Sequence, residues 1–379
     1  CDAYGAGFFY IPGSDTCLKI GGFVRAELRT GDHNNTLWAP GAGLGYDRGE
    51  NAINTRVRTV LNFDARTNTE MGLLRSYIEL WLQNDSTANG TIGVNMRNAF
   101  VQFAGLTAGR ASSNFNFIEA GYHFSNIEID TSDRRVNLLA YTFSFGNGIT
   151  ATLSVEDPTT SDSTGLTWNN AAGTSVGSWV HGGNTNIKMP DLVANVGISQ
   201  AWGRAQIMGA LQHSRVEDNP NNNPVESAFD RNKMGYAVGA GVEVNLPMLG
   251  AGDKMFLQGV YTKGAVAYAM NNNIRFENDW TPGVFTSPQS KAWSISGGLN
   301  HNFSKAVEAN LGVSYLDYEH SAGAGGDYTA WVLGGDVRWK PVAGFMIGVG
   351  IDYRAVDYAA AGVANGNQWM GTLRVQRNF

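Results

Sequence analysis

The chain has 379 residues, a formal net charge of −6, 16% charged residues and 48 glycines. This acidic balance argues against nucleic acid as a partner, which requires a basic surface, and no apolar run approaches the roughly 18 residues of a membrane-spanning helix. A mean hydropathy of −0.21 together with 11% aromatic residues leaves two classes. One is a large soluble all-β protein, and the other is a transmembrane β-barrel, whose strands alternate apolar and polar side chains.

The first segments of the chain alternate apolar and polar residues with period two, as strands with one apolar face do. In 17–30 one face collects Leu18, Ile20, Val24, Ala26 and Leu28, and the other collects Lys19, Arg25, Glu27 and Arg29. Segments 51–66 and 73–83 repeat the pattern, with arginines on their polar faces. Apolar residues three and four apart, which a helix requires, do not recur there, so these segments are predicted to be strands.

Sixteen such segments follow one another to the end of the chain. Their spans are 17–30, 51–66, 73–83, 96–104, 106–112, 135–145, 149–157, 189–200, 204–216, 232–246, 253–265, 291–302, 306–318, 329–340, 345–358 and 368–379. The connections between them alternate between short and long, which puts all short turns at one end of the sheet and all long loops at the other. That plan is typical of an outer-membrane barrel with short periplasmic turns and long external loops.

A single closed barrel also explains the two kinds of strand face. Lipid outside and water inside suit every strand, and closure leaves no edge unpaired, as a bilayer requires. The sequence therefore predicts an all-β fold, a transmembrane antiparallel β-barrel of about 16 strands over residues 18–379, preceded by an amino-terminal segment at 1–17. No leader-like stretch opens the sequence, which is expected of a mature exported chain.

Aromatic residues lie near the ends of several segments, where interfacial girdles of a barrel are expected. They are Tyr77, Trp81, Trp293, Trp331, Trp339, Tyr353, Tyr358 and Trp369. Ordinary strand aromatics are the alternative interpretation. The last segment ends in an amphipathic strand with an aromatic terminal residue, Phe379, which looks like the signal read by outer-membrane assembly machinery.

Three stretches of the sequence carry a family resemblance. CDAYGAGFFYIPGSDTCLKIGGFVR at the start, AFVQFAGLTAGRASSNF at 99–115 and LRVQRNF at the end resemble the alphaproteobacterial general porins. The resemblance implies an outer-membrane homotrimer of sixteen-stranded barrels for passive diffusion of small hydrophilic solutes. It also implies a third long loop folded into the pore, and outer-membrane lipid and lipopolysaccharide as surroundings.

The only two cysteines of the chain, Cys1 and Cys17, enclose the segment before the first strand. In the oxidising periplasm that the resemblance implies, we expect them to form a disulfide. We further expect this bridge to tie the segment into a compact periplasmic loop beside the barrel. An alternative interpretation is a lipoprotein acylated at Cys1, and the mature chain of the family can also extend upstream of this residue.

Charged residues suggest a pore constriction with two sides. The basic candidates are Arg25, Arg29, Arg56, Arg58, Arg75 and Arg110, and the acidic candidates on the third long loop are Glu119, Glu128 and Asp130. Arginines two residues apart on a strand point the same way, so neighbouring strands present one basic patch to the lumen. The alternative is that these arginines only neutralise nearby carboxylates such as Glu27, Asp64 and Glu79.

No catalytic constellation, metal-ligand spacing or phosphate-binding glycine motif is recognisable, so we expect neither an enzyme nor a cofactor. Two other functions remain open at this point: a solute-selective outer-membrane channel and a soluble all-β binding or adhesion protein. The Asn- and Asp-rich runs GDHNN, EDNPNNNP and MNNN are interpreted as solvated loops, with calcium or bridging cations as the alternative.

Overall fold

The structure is a computed structural model in which nineteen strands form one antiparallel sheet. It describes residues 1–31, 53–86, 92–158, 165–169, 175–180, 189–218, 232–270, 288–321, 327–359 and 365–379. The strands are β1 (Phe9–Tyr10), β2 (Cys17–Gly31), β3 (Ile53–Thr69), β4 (Gly72–Asp85), β5 (Ile92–Phe103), β6 (Leu106–Ser112), β7 (Arg135–Gly146), β8 (Ile149–Glu156), β9 (Gly165–Asn169), β10 (Ser175–Val180), β11 (Asp191–Gln200), β12 (Gly203–Asp218), β13 (Asn232–Asn245), β14 (Lys254–Lys263), β15 (Lys291–Asn302), β16 (Val307–Glu319), β17 (Tyr328–Trp339), β18 (Phe345–Tyr358) and β19 (Gly366–Asn378). The Asn- and Asp-rich runs lie almost entirely outside the described residues.

Sixteen of these strands close a barrel. The last strand, β19, pairs with β2 from Met370 opposite Gly31 to Asn378 opposite Phe23. The pairing of β8 with β11 leaves the β9–β10 hairpin outside the circle, so the wall consists of β2 to β8 and β11 to β19. The predicted sixteen-strand antiparallel barrel is confirmed, and closure leaves no free edge in the wall.

Strand bounds agree with the prediction within three residues except at the start of β5, and one hairpin was not expected. β5 begins at Ile92, four residues before the predicted start at 96. The β9–β10 hairpin lies in a connection that was predicted to have no strands; it extends the sheet beside β12. Its sequence combines glycines, serines and tryptophans without a clear period, so alternation could not reveal it.

The outer face of the wall is apolar and carries an aromatic belt. Trp293, Tyr315 and Trp331 stand side by side on it, with ring centroids 5.1 and 4.6 Å apart. Tyr77 and Trp81 were expected in this belt, but they share the lumen face of β4 with Arg75, because their parity is that of the polar positions. No helix among the described residues is long and apolar enough to cross a membrane.

A packed apolar core fills part of the lumen. Residues 113–134, which connect β6 to β7 and are called here the inner loop, fold into the barrel and bury Phe115 and Ile129. A second segment after β14 also turns inward, and its fully buried Tyr268 has its ring 4.7 Å from that of Phe115. The expectation of water behind every strand is therefore wrong along β11 to β19, where inner positions carry Met208, Leu316 and Val332.

Candidate pore constriction

Guanidinium groups cover the lumen face of β2, β3 and β4. Arg25 and Arg29 lie on β2, Arg56 and Arg58 on β3, and Arg75 on β4, and the strand registers place all five on one face. They come together because each occupies an inward position on one of three adjacent strands. Arginine keeps its charge at any pH relevant to a cell, so this wall carries a permanent positive potential.

Arg25 and Arg58, called here the central pair, lie directly opposite each other on β2 and β3, an arrangement that destabilises a sheet when the charges are alike. The Nε of Arg25 donates to Oε1 of Gln376 at 2.7 Å, and the Nε of Arg58 donates to Oε1 of Gln83 at 2.8 Å. Among the described residues Arg58 has no ion-pair partner, and Arg25 has only a 3.8 Å contact with Glu27. Amide oxygens thus orient both guanidiniums without cancelling their charge.

The other arginines of the patch are paired with carboxylates. Arg29 and Arg56 share Asp85, whose Oδ2 lies 2.7 Å from an Nη2 of each. Arg75 donates two hydrogen bonds to Asp64, at 2.9 and 3.0 Å. The interpretation of the arginines as partners of carboxylates therefore describes these three, although Arg29 and Arg56 share one carboxylate and keep a net positive charge; the central pair adds two guanidiniums that no close carboxylate neutralises.

Arg97 of β5 joins the patch, although strict alternation would place it against lipid. A register shift opposite Glu79 and Leu80 marks a bulge in β5, and the extra residue of a bulge re-aims side chains. The Arg97 guanidinium lies 3.9 Å from one face of the Trp81 ring, and that of Arg58 lies 4.1 Å from the same ring. A charge at an apparently outward position is the sequence signal that would have revealed this bulge.

The inner loop carries the acidic side of the constriction. Glu119 forms an ion pair with Arg135 at the start of β7, and Nη1 of that guanidinium lies 2.5 Å from Oδ1 of Asp133. Burial raises the pKa of Asp133. Burial also acts to raise the pKa of Glu119, but Arg135 and the hydrogen bonds to this carboxylate together lower it. Both carboxylates interact electrostatically with Arg97 of β5, so the acidic cluster lies within electrostatic reach of the basic wall.

The two remaining acidic candidates lie further along the inner loop. Asp130 is fully buried; its Oδ1 accepts a hydrogen bond from Nη2 of Arg354 at 2.9 Å, and its backbone N–H donates to Oγ of Ser314 at 2.9 Å. Its position is that of an anchor to β16 and β18, not of a group in contact with channel water. Glu128 is half-buried on the same stretch.

Arg110 lies on the outward face of the wall. Its cross-strand partners are Ala99 of β5 and Asn137 of β7. Asn137 lies on the same face of β7 as Leu139, which is 53% exposed. Residues that pair across strands share a face of the sheet. Arg110 is therefore absent from the lumen patch: proximity in sequence to the inner loop suggested the lumen, but parity along β6 decides against it.

Glycines on the lumen face let the inner loop lie close against β16, β17 and β18. A Cβ atom at Gly334 would lie 2.2 Å from the ring of His123, and one at Gly348 would lie 2.6 Å from the ring of Phe124. The His123 side chain is fully buried, and burial lowers its pKa to about 4. Glycine inside a strand often marks a close approach of this kind, so the glycines of β16, β17 and β18 are the sequence signal for the docking of the loop.

Hydrogen bonds hold the inner loop to distant strands of the same wall. The Oη of Tyr122 donates to Oε2 of Glu243 on β13 at 2.7 Å. The Nδ2 of Asn126 donates to Oγ1 of Thr372 on β19 at 2.6 Å. The middle of the loop is therefore tied to β13 on one side and to β19, the neighbour of β2, on the other.

The expected disulfide between Cys1 and Cys17 is present, with the two Cα atoms 5.4 Å apart. Cys17 begins β2 and is 3% exposed. β1 pairs with this first part of β2, directly below the seam where Gly22 and Phe379 exchange two backbone hydrogen bonds.

A closed antiparallel barrel with an apolar outside, and a charged lumen narrowed by an inner loop, defines a channel of the outer-membrane type. A family model described as porin subfamily matches residues 1–375. The chain belongs to this porin family, and it is an outer-membrane diffusion channel.

Relatives and solved structures agree with this assignment. Porin Omp2b of Brucella suis is 26% identical over 395 residues, covering all of this chain and 89% of the relative. Porin Omp2b of Brucella canis is 25% identical over 393 residues with the same coverage. In fold, the chain resembles the outer membrane channel DcaP of Acinetobacter baumannii, with a TM-score of 0.75, 16% identity and coverage of 98% and 99% of the two chains. It also resembles an anion-selective porin from Comamonas acidovorans, with a TM-score of 0.52, 12% identity and coverage of 96% and 100%.

Proposed function

We propose that the channel passes small hydrophilic solutes and ions passively through a constriction between the basic wall and the inner loop, and that it prefers anions. The observation that supports this proposal is the central pair, two guanidiniums held side by side by neutral amides. The facing cluster of Glu119, Asp133 and Arg135 carries a smaller net charge of opposite sign.

The arrangement acts on solutes through a field across the lumen. Fixed charges of opposite sign on facing walls orient water and polar solutes, and charged linings are a general means of setting pore selectivity. The central pair attracts an anion electrostatically, whereas Glu119 and Asp133 attract a cation. An apolar solute displaces oriented water without forming interactions that compensate for its loss, so permeation favours hydrophilic molecules.

The alternative of a solute-selective channel finds less support. An aromatic track for sugars requires ring faces open to the lumen, and Tyr77, Trp81 and Phe100 do face inward. However, the guanidiniums of Arg58 and Arg97 lie over the ring of Trp81. The rings of Tyr77 and Phe100 pack against each other, with their centroids 5.4 Å apart. We therefore propose conduction without a dedicated solute site and without catalysis.

We also propose a homotrimer embedded among outer-membrane lipids and lipopolysaccharide. Support comes from a similar barrel, OmpT of Vibrio cholerae, which was solved in a trimer form and has a TM-score of 0.52 with 11% identity. The belt of outward aromatic rings suits the interface between headgroups and acyl chains.

The test is single-channel recording of the purified protein in a planar bilayer under a KCl gradient. We expect conductance steps in groups of three and a reversal potential of the sign that anions set. Folded protein that gives single independent steps would contradict the trimer. A reversal potential with the cation sign would contradict the proposed role of the central pair.

A further inference from the structure

The amino-terminal segment, residues 1–16, reaches the lumen face of the wall through residues 4–8, while β1 pairs edge-on with β2. Cys17 and Lys19 of β2 stand opposite Arg66 and Asp64 of β3 and share the lumen face with the central pair. The Nζ of Lys19 donates to the carbonyl oxygen of Ala6 at 3.1 Å. The segment therefore runs from its short pairing with β2 across the inside of the barrel, toward β3.

Two aromatic rings fasten this segment to an inward arginine. The guanidinium of Arg66 lies 4.8 Å from the ring of Phe8 and 5.7 Å from that of Tyr4, and these two rings lie 5.7 Å apart. Lys19 also approaches the ring of Phe8, at 5.8 Å. Cation–π contacts of this kind add to the disulfide in holding the segment at the lumen face.

The segment lies at the periplasmic exit, well below the constriction. Arg58 and Arg66 are eight residues apart on β3, which corresponds to about 26 Å along a strand. β2 begins and β19 ends at this end of the barrel, the end of the short turns. A solute that has passed the central pair therefore meets residues 1–16 before it leaves the channel.

The chemistry of this segment differs from that of the constriction. Residues 1–16 contain two carboxylates, Asp2 and Asp15, and no lysine or arginine side chain. Both carboxylates are exposed, and the rings of Tyr4 and Phe8 cover one of the inward guanidiniums at this level. The segment thus brings two negative charges to an exit where Lys19 and Arg66 are positive, whereas the constriction carries the positive charge of the central pair.

We propose that residues 1–16, held by the Cys1–Cys17 disulfide, form a second selectivity element of the pore, an acidic amino-terminal cap at its periplasmic exit. The cap narrows the exit and reduces the anion preference set by the central pair. Permeation then depends on two charged filters in series, and the second one is attached covalently.

The experiment compares four variants of the full chain in planar bilayers. Tyr4→Leu with Phe8→Leu keeps the disulfide but removes the rings that dock on Arg66, and Cys1→Ser with Cys17→Ser removes the bridge. Because a freed cap leaves the exit wider, we expect both to raise single-channel conductance roughly 1.1- to 1.5-fold and to shift the reversal potential further toward that of anions. Asp2→Asn with Asp15→Asn should give the same shift in reversal potential at unchanged conductance.

The control is Phe9→Leu with Tyr10→Leu, since these two exposed rings belong to the same segment but make no ring contact with Arg66 or Lys19. We expect it to behave as the unaltered chain. Heat-modifiable migration on gels would establish that each variant is folded. If the folded ring variant and the folded bridge variant both conduct like the unaltered channel, the segment is only a structural staple and the proposal fails. If only the bridge variant fails to fold, the conductance of the ring variant alone decides whether the proposal holds.

Discussion

Replacing both arginines of the central pair by glutamine is the most direct test of the constriction. Arg25→Gln with Arg58→Gln removes two positive charges but keeps side chains that can still reach Gln376 and Gln83, the present hydrogen-bond partners. The variant also relieves the repulsion between like charges on facing positions. We therefore expect the barrel to fold at least as well as before, with an altered response to ions.

The size of the effect follows from Coulomb's law. An anion about 6 Å from each guanidinium gains about 0.7 kcal/mol from each in a medium as polar as water, or about 1.4 kcal/mol from both. Screening over a Debye length of about 10 Å at 0.1 M salt reduces this roughly by half. The remaining ~0.7 kcal/mol corresponds to about a threefold change in local anion concentration.

The assay is the reversal potential in a KCl gradient, measured at low and at high salt. Because the potential that concentrates anions threefold also depletes cations threefold, we expect the double variant to lose about ninefold in its anion-to-cation permeability ratio at 0.1 M salt, and less at 1 M, where screening is stronger. Arg110→Gln is the control, because it removes one positive charge from the outward face and should leave the reversal potential unchanged. An unchanged ratio in the double variant, or an equal effect of the control, would refute the assignment of selectivity to the central pair.

Three further outcomes are expected. Asp130→Asn leaves Arg354 buried without its carboxylate. Denaturation curves in detergent should therefore show a loss of about 3 kcal/mol or more in the free energy of unfolding, and single-channel recordings should show more open-channel noise. Gly334→Ala has no room for its new methyl group and should widen the pore or block folding, whereas Gly209→Ala, whose new atom meets nothing closer than 3.8 Å, should behave normally in conductance measurements. Burial raises the pKa of Asp133 above its ordinary 3.8, so on acidification this carboxylate should become neutral at a higher pH than an ordinary aspartate. Its neutralisation should strengthen the anion preference. The reversal potential of Asp133→Asn should depend less on pH than that of the unaltered channel.

Alternation along the chain was sufficient to predict the wall of the barrel. Each strand has one face toward lipid, and this constraint is written into every second residue, so spans such as 135–145 and 149–157 agree with β7 and β8 within one residue. The same parity placed Arg25 and Arg58 on the lumen side. The disulfide could be predicted because the chain offers only one pair of cysteines.

Features that depend on contacts between distant segments could not be read in this way. The bulge at Arg97 interrupts the period locally, and the inward glycines serve a loop more than 200 residues away in sequence. Asp130 and Glu119 look alike as carboxylates of one loop, but only the folded chain brings Arg354 against one and Arg135 against the other. Charge type alone therefore indicated a polar lumen, whereas the split between lining and anchoring groups required the structure.

The attachment of the inner loop has a consequence for the order of assembly. Its partners on the far wall come late in the chain: Asp130 and Arg354 are 224 residues apart, and Asn126 and Thr372 are 246 residues apart. Contacts of such long range form slowly, because the chain between them must first be ordered. The loop can therefore dock only after β16 to β19 have taken their places. A barrel that has begun to form without its last strands lacks these two partners of the loop, so full narrowing of the pore follows the placement of the last strands.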